Sequence, residues 1–166
     1  MAIELRRATE EDLPFLTEAL HKTFLYLMAQ GEDPYCKGFG ALTVEEMETY
    51  LLEYLDERKA RTFILQNAQE EIGCIMGKIA PSHLSASGLG LVGWIGLCYV
   101  DARFRRANHC VQMYEKIQAW FGSMAIDIVE LSYMASNLAA QSTWDKLGFE
   151  PFRVIAYKKI NPTEEA

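Results

Sequence analysis

The chain has 166 residues, half of them apolar and 23% charged, enough to bury one core without help from disulfides or metals. No apolar run approaches the roughly 20 residues that span a bilayer, and the start lacks the apolar centre and cleavage site of a signal peptide, so cytoplasmic residence is the default expectation. Sixteen basic residues against 23 acidic give a net charge of −7, which opposes general attraction to nucleic acid or an anionic membrane. The four cysteines, Cys36, Cys74, Cys98 and Cys110, form no CxxC pair, so they read as reduced and support neither a disulfide framework nor a metal site.

Ile3 to Ala8 alternates apolar and polar residues as a half-buried strand does. Thr9 with Asp12 approximates a capping box, and Leu13, Leu16, Leu20, Phe24 and Leu27 continue at helical spacing to about Ala29. The segment from Gly31 to Gly40 is rich in turn residues, and Thr43 with Glu46 caps a second helix expected to end near Arg58. Residues 62–66 and 72–79 read as a hairpin, and residues 80–90, with Pro81, serines and glycines, as a mobile loop. Leu91 to Val100 is almost wholly apolar, as in a strand covered on both faces. Gly93 and Gly96 within it signal a bulge or a close backbone approach. Val111, Met113, Tyr114, Ile117 and Phe121 follow at helical spacing up to Gly122. A strand is expected over 128–134, a helix over 138–147 closed by Gly148, a last strand over 152–160 and a polar tail over 162–166. Mixed elements with short connections and no internal linker indicate a single α/β domain, residues 1–161, in three layers around one sheet.

The passage from strand to helix is the most informative stretch. A helix start after a sheet offers unpaired backbone N–H groups and the positive end of the helix dipole, a cradle for phosphate. Arg103, Arg105 and Arg106 stand beside it in an otherwise acidic chain. On local sequence alone, the same residues also fit a solvated turn at a helix start.

Arg105-Arg106-Ala107-Asn108-His109-Cys110 resembles the pyrophosphate-binding loop of the GNAT acetyltransferase superfamily, R/Q-x-x-G-x-G/A. The run from Asn137 to Phe149 is similar to the C-terminal signature N-x-x-A-x-x-L-Y-E-K-L-G-F, and Arg7 to Leu13 to the usual opening. The resemblance spans nearly the whole chain. It implies a three-layer GNAT-like fold, with a mixed central sheet, splayed parallel strands and helices on both faces. Acetyl-CoA would lie in the splay as cosubstrate, with no metal.

By the same resemblance, Cys98, Tyr99 and Val100 follow the pantetheine, and the Cys98 N–H polarises the thioester carbonyl. Arg105, Arg106, Ala107, Asn108, His109, Cys110 and Val111 take the diphosphate. Asn137, Ala140, Thr143 and Trp144 line the other side. The sequence departs from the pattern at Asn108 and Cys110, which replace small loop residues. Asn108 tolerates left-handed backbone angles, whereas Cys110 adds bulk or turns its sulfur into the core.

The proton chemistry departs further. Trp144 stands where a tyrosine acid is common, and its indole N–H is too weak an acid for that task; Trp94 stands where a glutamate base is common, and no carboxylate lies on that strand. Large aromatics there suggest a narrowed, dry acceptor site that lowers an amine's pKa. His83 is the candidate substitute base, acting through water, against the plain reading of an exposed loop histidine. His109 is a candidate for CoA binding in its cationic form. Tyr99, Tyr133 and Glu130 read chiefly as packing or surface.

The leading expectation is therefore an N-acetyltransferase acting by direct attack of a primary amine in a ternary complex. Residues 30–42, the second helix and residues 81–90 would bind a small-molecule or peptide amine. The acidic balance leans towards a polyamine, aminoglycoside or lysine-containing peptide. The alternative is a catalytically impaired acyl-CoA sensor or interaction module with the same fold. A nucleotide-binding protein is disfavoured, because neither a Walker lysine nor GxGxxG follows a strand. A homodimer is compatible with the resemblance, but no motif fixes the oligomeric state.

Overall fold

The computed structural model describes residues 3–30, 34–84, 86, 88–158 and 160. Strands β1 (Glu4–Arg7), β2 (Ala60–Gln66), β3 (Glu71–Pro81), β4 (Leu91–Val100) and β5 (Val129–Leu131) lie in chain order across one five-stranded sheet. Helices α1 (Leu13–Gln30), α2 (Pro34–Phe39) and α3 (Val44–Leu52) precede the β2–β3 hairpin. Helix α4 (His109–Ser123) joins β4 to β5, and α5 (Leu138–Lys146) follows β5. Neighbouring strands from β1 to β4 are antiparallel, and β4–β5 is parallel, as its helical crossover requires.

Strand alternation splits the apolar side chains into two cores, one on each face. Leu16, Leu20, Met47, Leu51 and Tyr54 pack over Ile64, Met76, Leu97 and Tyr99 on one face. Met113, Ile117, Phe121 and Trp144 pack over Leu65, Ile75 and Ile95 on the other. Both helix caps expected from the sequence form. The Thr9 N–H donates to the Asp12 carboxylate at 2.8 Å. Thr43 and Glu46 cap each other reciprocally at 2.8 and 3.2 Å.

Several expectations are corrected. Part of the turn-rich stretch is the short helix α2, which Pro34 opens at the position where a missing N–H costs nothing, and Phe39 then stacks on Phe24 with ring centroids 4.5 Å apart. Helix α3 ends at Leu52 instead of Arg58, because tight turns from Leu51 and Leu52 to Tyr54 and Leu55 swing the buried Tyr54 onto the sheet. The first parallel neighbour of β4 is shorter than expected, at Val129–Leu131. The strand expected over 152–160 is absent among the described residues, and Val154 and Ile155 are 87% and 75% exposed. An alternating pattern makes a strand only where a neighbour supplies hydrogen bonds, and none does so here. The polar tail over 162–166 and the side chain of Cys36 lie outside the described residues.

Candidate active site

The centre of the site is the stretch of β4 where its neighbours stop matching. Towards β5, pairing covers only Gly93, Trp94 and Ile95 against Val129, Glu130 and Leu131. Beyond Ile95, β4 runs on to Val100 while the chain after Leu131 leaves the sheet, so the parallel strands splay. Towards β3, the register shifts between Met76 and Gly77, leaving Gly96 as the extra residue of a β-bulge.

The bulge decides which amides face the gap. The Gly93 N–H points towards β5, donating to the Ile128 carbonyl at 2.9 Å, and uninterrupted alternation would send Leu97 and Tyr99 the same way. The extra residue reverses the order. Asp101 donates to Ile72 at 2.8 Å on the β3 side, so Leu97 and Tyr99 also face β3, and the N–H groups of Cys98 and Val100 face the gap. Those donors lie on a rigid strand.

Past Val100 the chain enters the arginine cluster, and the structure separates its members. Asp101 accepts the Arg103 N–H at 3.0 Å and pairs with its guanidinium, which also reaches Glu70 at 2.7 Å. These carboxylates hold Arg103 against the β2–β3 turn and raise its pKa. Arg105 folds back, with Nε donating to the Val100 carbonyl at 2.9 Å and its guanidinium 5.7 Å from the centre of the Tyr26 ring. Arg106 is exposed and makes no ion pair among the described residues.

Arg106 (φ 66°) and Asn108 (φ 59°) are both left-handed, flanking Ala107 ahead of α4. Such alternation turns successive N–H groups towards one side, a concavity suited to an anion, and it adds to the free first-turn N–H groups of α4. Asn108 supplies the expected geometry without side-chain capping. His109 leans along the helix towards Gln112 at 3.3 Å. Val111 is partly buried in the first turn, and the Cys110 sulfur turns inward to lie 3.2 Å from that of Cys98.

On the far side, Asn137 caps α5 by accepting the Ala140 N–H at 3.1 Å, and Thr143 bonds back to the Ala139 carbonyl at 2.9 Å. Trp144 departs from the expected lining. It is 8% exposed and packs edge-on against Tyr114 and Phe149 in the α4–α5 core. The amphipathic register of α5 turns this position inward, so its ring does not narrow an acceptor site. Tyr133 is partly buried against the same core.

Trp94 faces the opposite side, beneath α1 and α3. With Lys78, Ala80, Pro81 and His83 it lines a cavity of about 220 Å³, so His83 and Trp94 do share one cleft. The loop before β4 is fastened at its first residues. Ser82 donates to the Gly90 carbonyl at 2.9 Å through its N–H and to the Glu130 carboxylate at 3.0 Å through its hydroxyl. The His83 N–H donates to the other Glu130 oxygen at 3.0 Å. Glu130 is buried, and both of its oxygens are engaged in holding this loop.

Sequence reasoning missed the groups above the bulge. The Tyr54 hydroxyl occupies the space a side chain at Gly96 would need. It accepts a hydrogen bond from Tyr50 at 3.1 Å, while burial pushes its pKa far up. Lys78 lies 4.9 Å from the Tyr54 ring centre and pairs with Glu53 at 2.7 Å. The glycine at position 96 was the available signal, but it named no partner. A second cavity of about 220 Å³, lined by Glu18, Lys22, Glu70, Tyr99, Asp101 and Arg103 among others, opens at the far end of β4.

A splayed strand pair, gap-facing amides after a bulge, and an anion cradle at a helix start converge on one family. The family model described as the acetyltransferase (GNAT) family matches residues 23–149. The chain belongs to the GNAT acetyltransferase family. Solved structures agree in fold. A GCN5-related N-acetyltransferase from Ralstonia eutropha JMP134 superposes with a TM-score of 0.76 at 17% identity, over 95% of this chain and 99% of that one. The aminoglycoside N-acetyltransferase AAC(6')-Iy in complex with CoA gives 0.74 at 18% identity, over 95% of each chain. A predicted acetyltransferase with acetyl-CoA from Clostridium acetobutylicum gives 0.69 at 16% identity, over 96% of each. A sequence search of curated proteins returned no match. The expected α/β GNAT architecture is thus present, and the chain is an acetyltransferase of this family whose acceptor is open. Among the described residues, no helix is long and apolar enough to cross a membrane.

Proposed function

We propose that this GNAT protein transfers an acetyl group from acetyl-CoA to a primary amine of a small molecule or peptide, by direct attack in a ternary complex. The observation that carries the reading is the Gly96 bulge, which aims the Cys98 and Val100 amides into the splay just before the chain forms its anion cradle. In this reading the Cys98 N–H hydrogen-bonds the thioester oxygen and stabilises the negative charge that builds there on attack, while Val100 guides the pantetheine arm. The left-handed turn and first turn of α4 hold the diphosphate, with Arg106 as an added cation. Arg105 acts on the cradle from behind, by fixing the Val100 carbonyl. Two of the structural neighbours described above were solved with CoA or acetyl-CoA, which supports this choice of donor.

The amine enters from the α1–α3 side, where Trp94, Lys78 and His83 line a cleft. An amine of ordinary pKa, about 10.4, is charged near neutral pH and must lose a proton before it attacks. Glu130 is committed to the loop, so the His83 imidazole, through water, is the group assigned to take that proton. The AAC(6')-Iy structure with a CoA–acetylneamine bisubstrate analogue makes an aminoglycoside a rational first acceptor to try.

Calorimetric titration with acetyl-CoA and CoA tests the reading, using the natural chain, Arg105→Ala, Arg106→Ala and Asn108→Asp. Micromolar affinity weakened by the substitutions is the expected result, followed by thiol release with members of an amine panel. Absence of binding to either nucleotide overturns it. Binding with silence across the amine panel would instead mark an acyl-CoA sensor, a reading favoured by one observation: Trp144, at the usual acid position, is locked in the core.

A further inference from the structure

We propose that Cys98 and Cys110 form a dithiol site, oxidised by low-molecular-weight disulfides to an intramolecular disulfide that ties the central strand to the first turn of α4. The two sulfurs lie 3.2 Å apart, in direct contact across the β4–α4 interface. A disulfide requires about 2.05 Å, so closing the bond moves them together by roughly 1.1 Å. Each thiol belongs to a different wall of the cradle. Cys98 belongs to the strand whose amides face the gap, and Cys110 is the second residue of the helix that follows the left-handed turn. Cys74 is no competitor, because it is buried in the core on the opposite face of the sheet, where burial pushes its thiol up to about 12.

The environments assign the roles. Cys110 is partly exposed, stands at a helix start that favours a thiolate, and is lowered below the ordinary thiol range by the hydrogen bond from Cys98. Cys98 is raised by that contact and by burial, which favours Cys110 as the thiol that ionises first. With oxidised glutathione, the Cys110 thiolate attacks one sulfur, and the first glutathione leaves as a thiolate. That thiolate takes the Cys98 proton. The Cys98 sulfur then attacks the Cys110 sulfur of the mixed disulfide and expels the second glutathione. Two protein thiols lose two hydrogens, and one glutathione disulfide becomes two thiols.

The effect on binding rests on the function proposed above. A shift of about 1 Å in Cys98 or in the first turn of α4 misaligns groups that must meet the thioester and the diphosphate, so the oxidised form should bind CoA about tenfold more weakly. The full chain is incubated with oxidised glutathione, remaining thiols are blocked with iodoacetamide, and tryptic peptides are mapped. Cleavage after Arg103 and Arg106 leaves the two cysteines on separate peptides. The expected result is a linked Cys98–Cys110 pair, reversed by dithiothreitol and lost in Cys98→Ser and Cys110→Ser. Both cysteines recovered alkylated, or Cys110 carrying glutathione without a link, overturns the proposal. Calorimetry with CoA on the reduced and oxidised natural chain keeps the two claims apart. No binding by the reduced form defeats the function while the linked peptide still stands; equal affinity of both forms overturns the coupling to the cradle.

Discussion

The two flanks of β4 solve different problems with different materials. On the α4 side, the proposed anion cradle is built from consecutive residues, Val100 to Val111, with the left-handed angles of Arg106 and Asn108. On the α1–α3 side, the cleft lined by Lys78, Ala80, Pro81, His83 and Trp94 is shaped by residues far apart in the chain, with Tyr54 set over Gly96 and Glu130 fastening the loop that carries His83. Phosphate recognition needs donors in a fixed local geometry, which one short segment can provide. An acceptor pocket needs shape, and shape comes from packing separate elements together. The first flank should therefore tolerate side-chain change wherever backbone angles are kept, and the second should not.

The largest expected effect comes from Trp144→Ala, which removes a buried ring from between Tyr114 and Phe149. It should cost about 3–5 kcal/mol of stability in urea unfolding. Trp144→Tyr should change turnover little, since position 144 faces the core; a strong effect on proton-dependent steps would move α5 into the reaction and blur the contrast.

Next comes Asp12, buried beneath α1 and held by Arg6 through hydrogen bonds of 2.8 and 2.6 Å. Asp12→Asn should cost about 1.5–3 kcal/mol at neutral pH. The Arg6 hydrogen bond, helped by Thr9, holds the Asp12 carboxyl below its ordinary value. Its stabilisation is therefore complete above the unfolded pKa of about 3.9 and disappears as pH falls through the lower folded value. Urea midpoints measured from pH 6 down to pH 2 should show the advantage of the natural chain over Asp12→Asn shrinking below about pH 4. A constant gap would show that the pair contributes through packing alone.

Gly96→Ala sets a Cβ where the Tyr54 hydroxyl lies and should cost about 1–3 kcal/mol, with a change in acceptor preference. The matching change on the other flank, Asn108→Gly, should leave CoA affinity within about twofold, because glycine adopts the same φ freely. Asn108→Val, by contrast, should weaken CoA binding about tenfold, roughly 1.4 kcal/mol, since a β-branched residue resists that angle. Calorimetry decides it, and unchanged affinity would show that the cradle does not depend on the left-handed turn.

The contrast also explains what was legible in the sequence. The extent of β4, the start of α4 and the left-handed Asn108 follow from local composition. Gly96 announced a bulge or a close approach, and both occur there, but nothing in the one-dimensional pattern named Tyr54 as the group above it. Trp144 shows a related limit. Its position in the signature was clear, whereas its facing depends on how α5 packs against Tyr114 and Phe149. The strand expected over 152–160 failed because alternation cannot supply a neighbouring edge.

The sequence by itself determined the helix caps, the extent of β4 and the left-handed turn before α4, because these depend on dihedral preferences and hydrogen bonds among residues a few positions apart. The tertiary structure alone decided that the bulge turns Cys98 and Val100 towards the gap, that Glu130 fastens the loop before β4, and that the Cys98 and Cys110 sulfurs touch. Those facts depend on strand register and on packing between distant segments, which become fixed only when the whole sheet assembles.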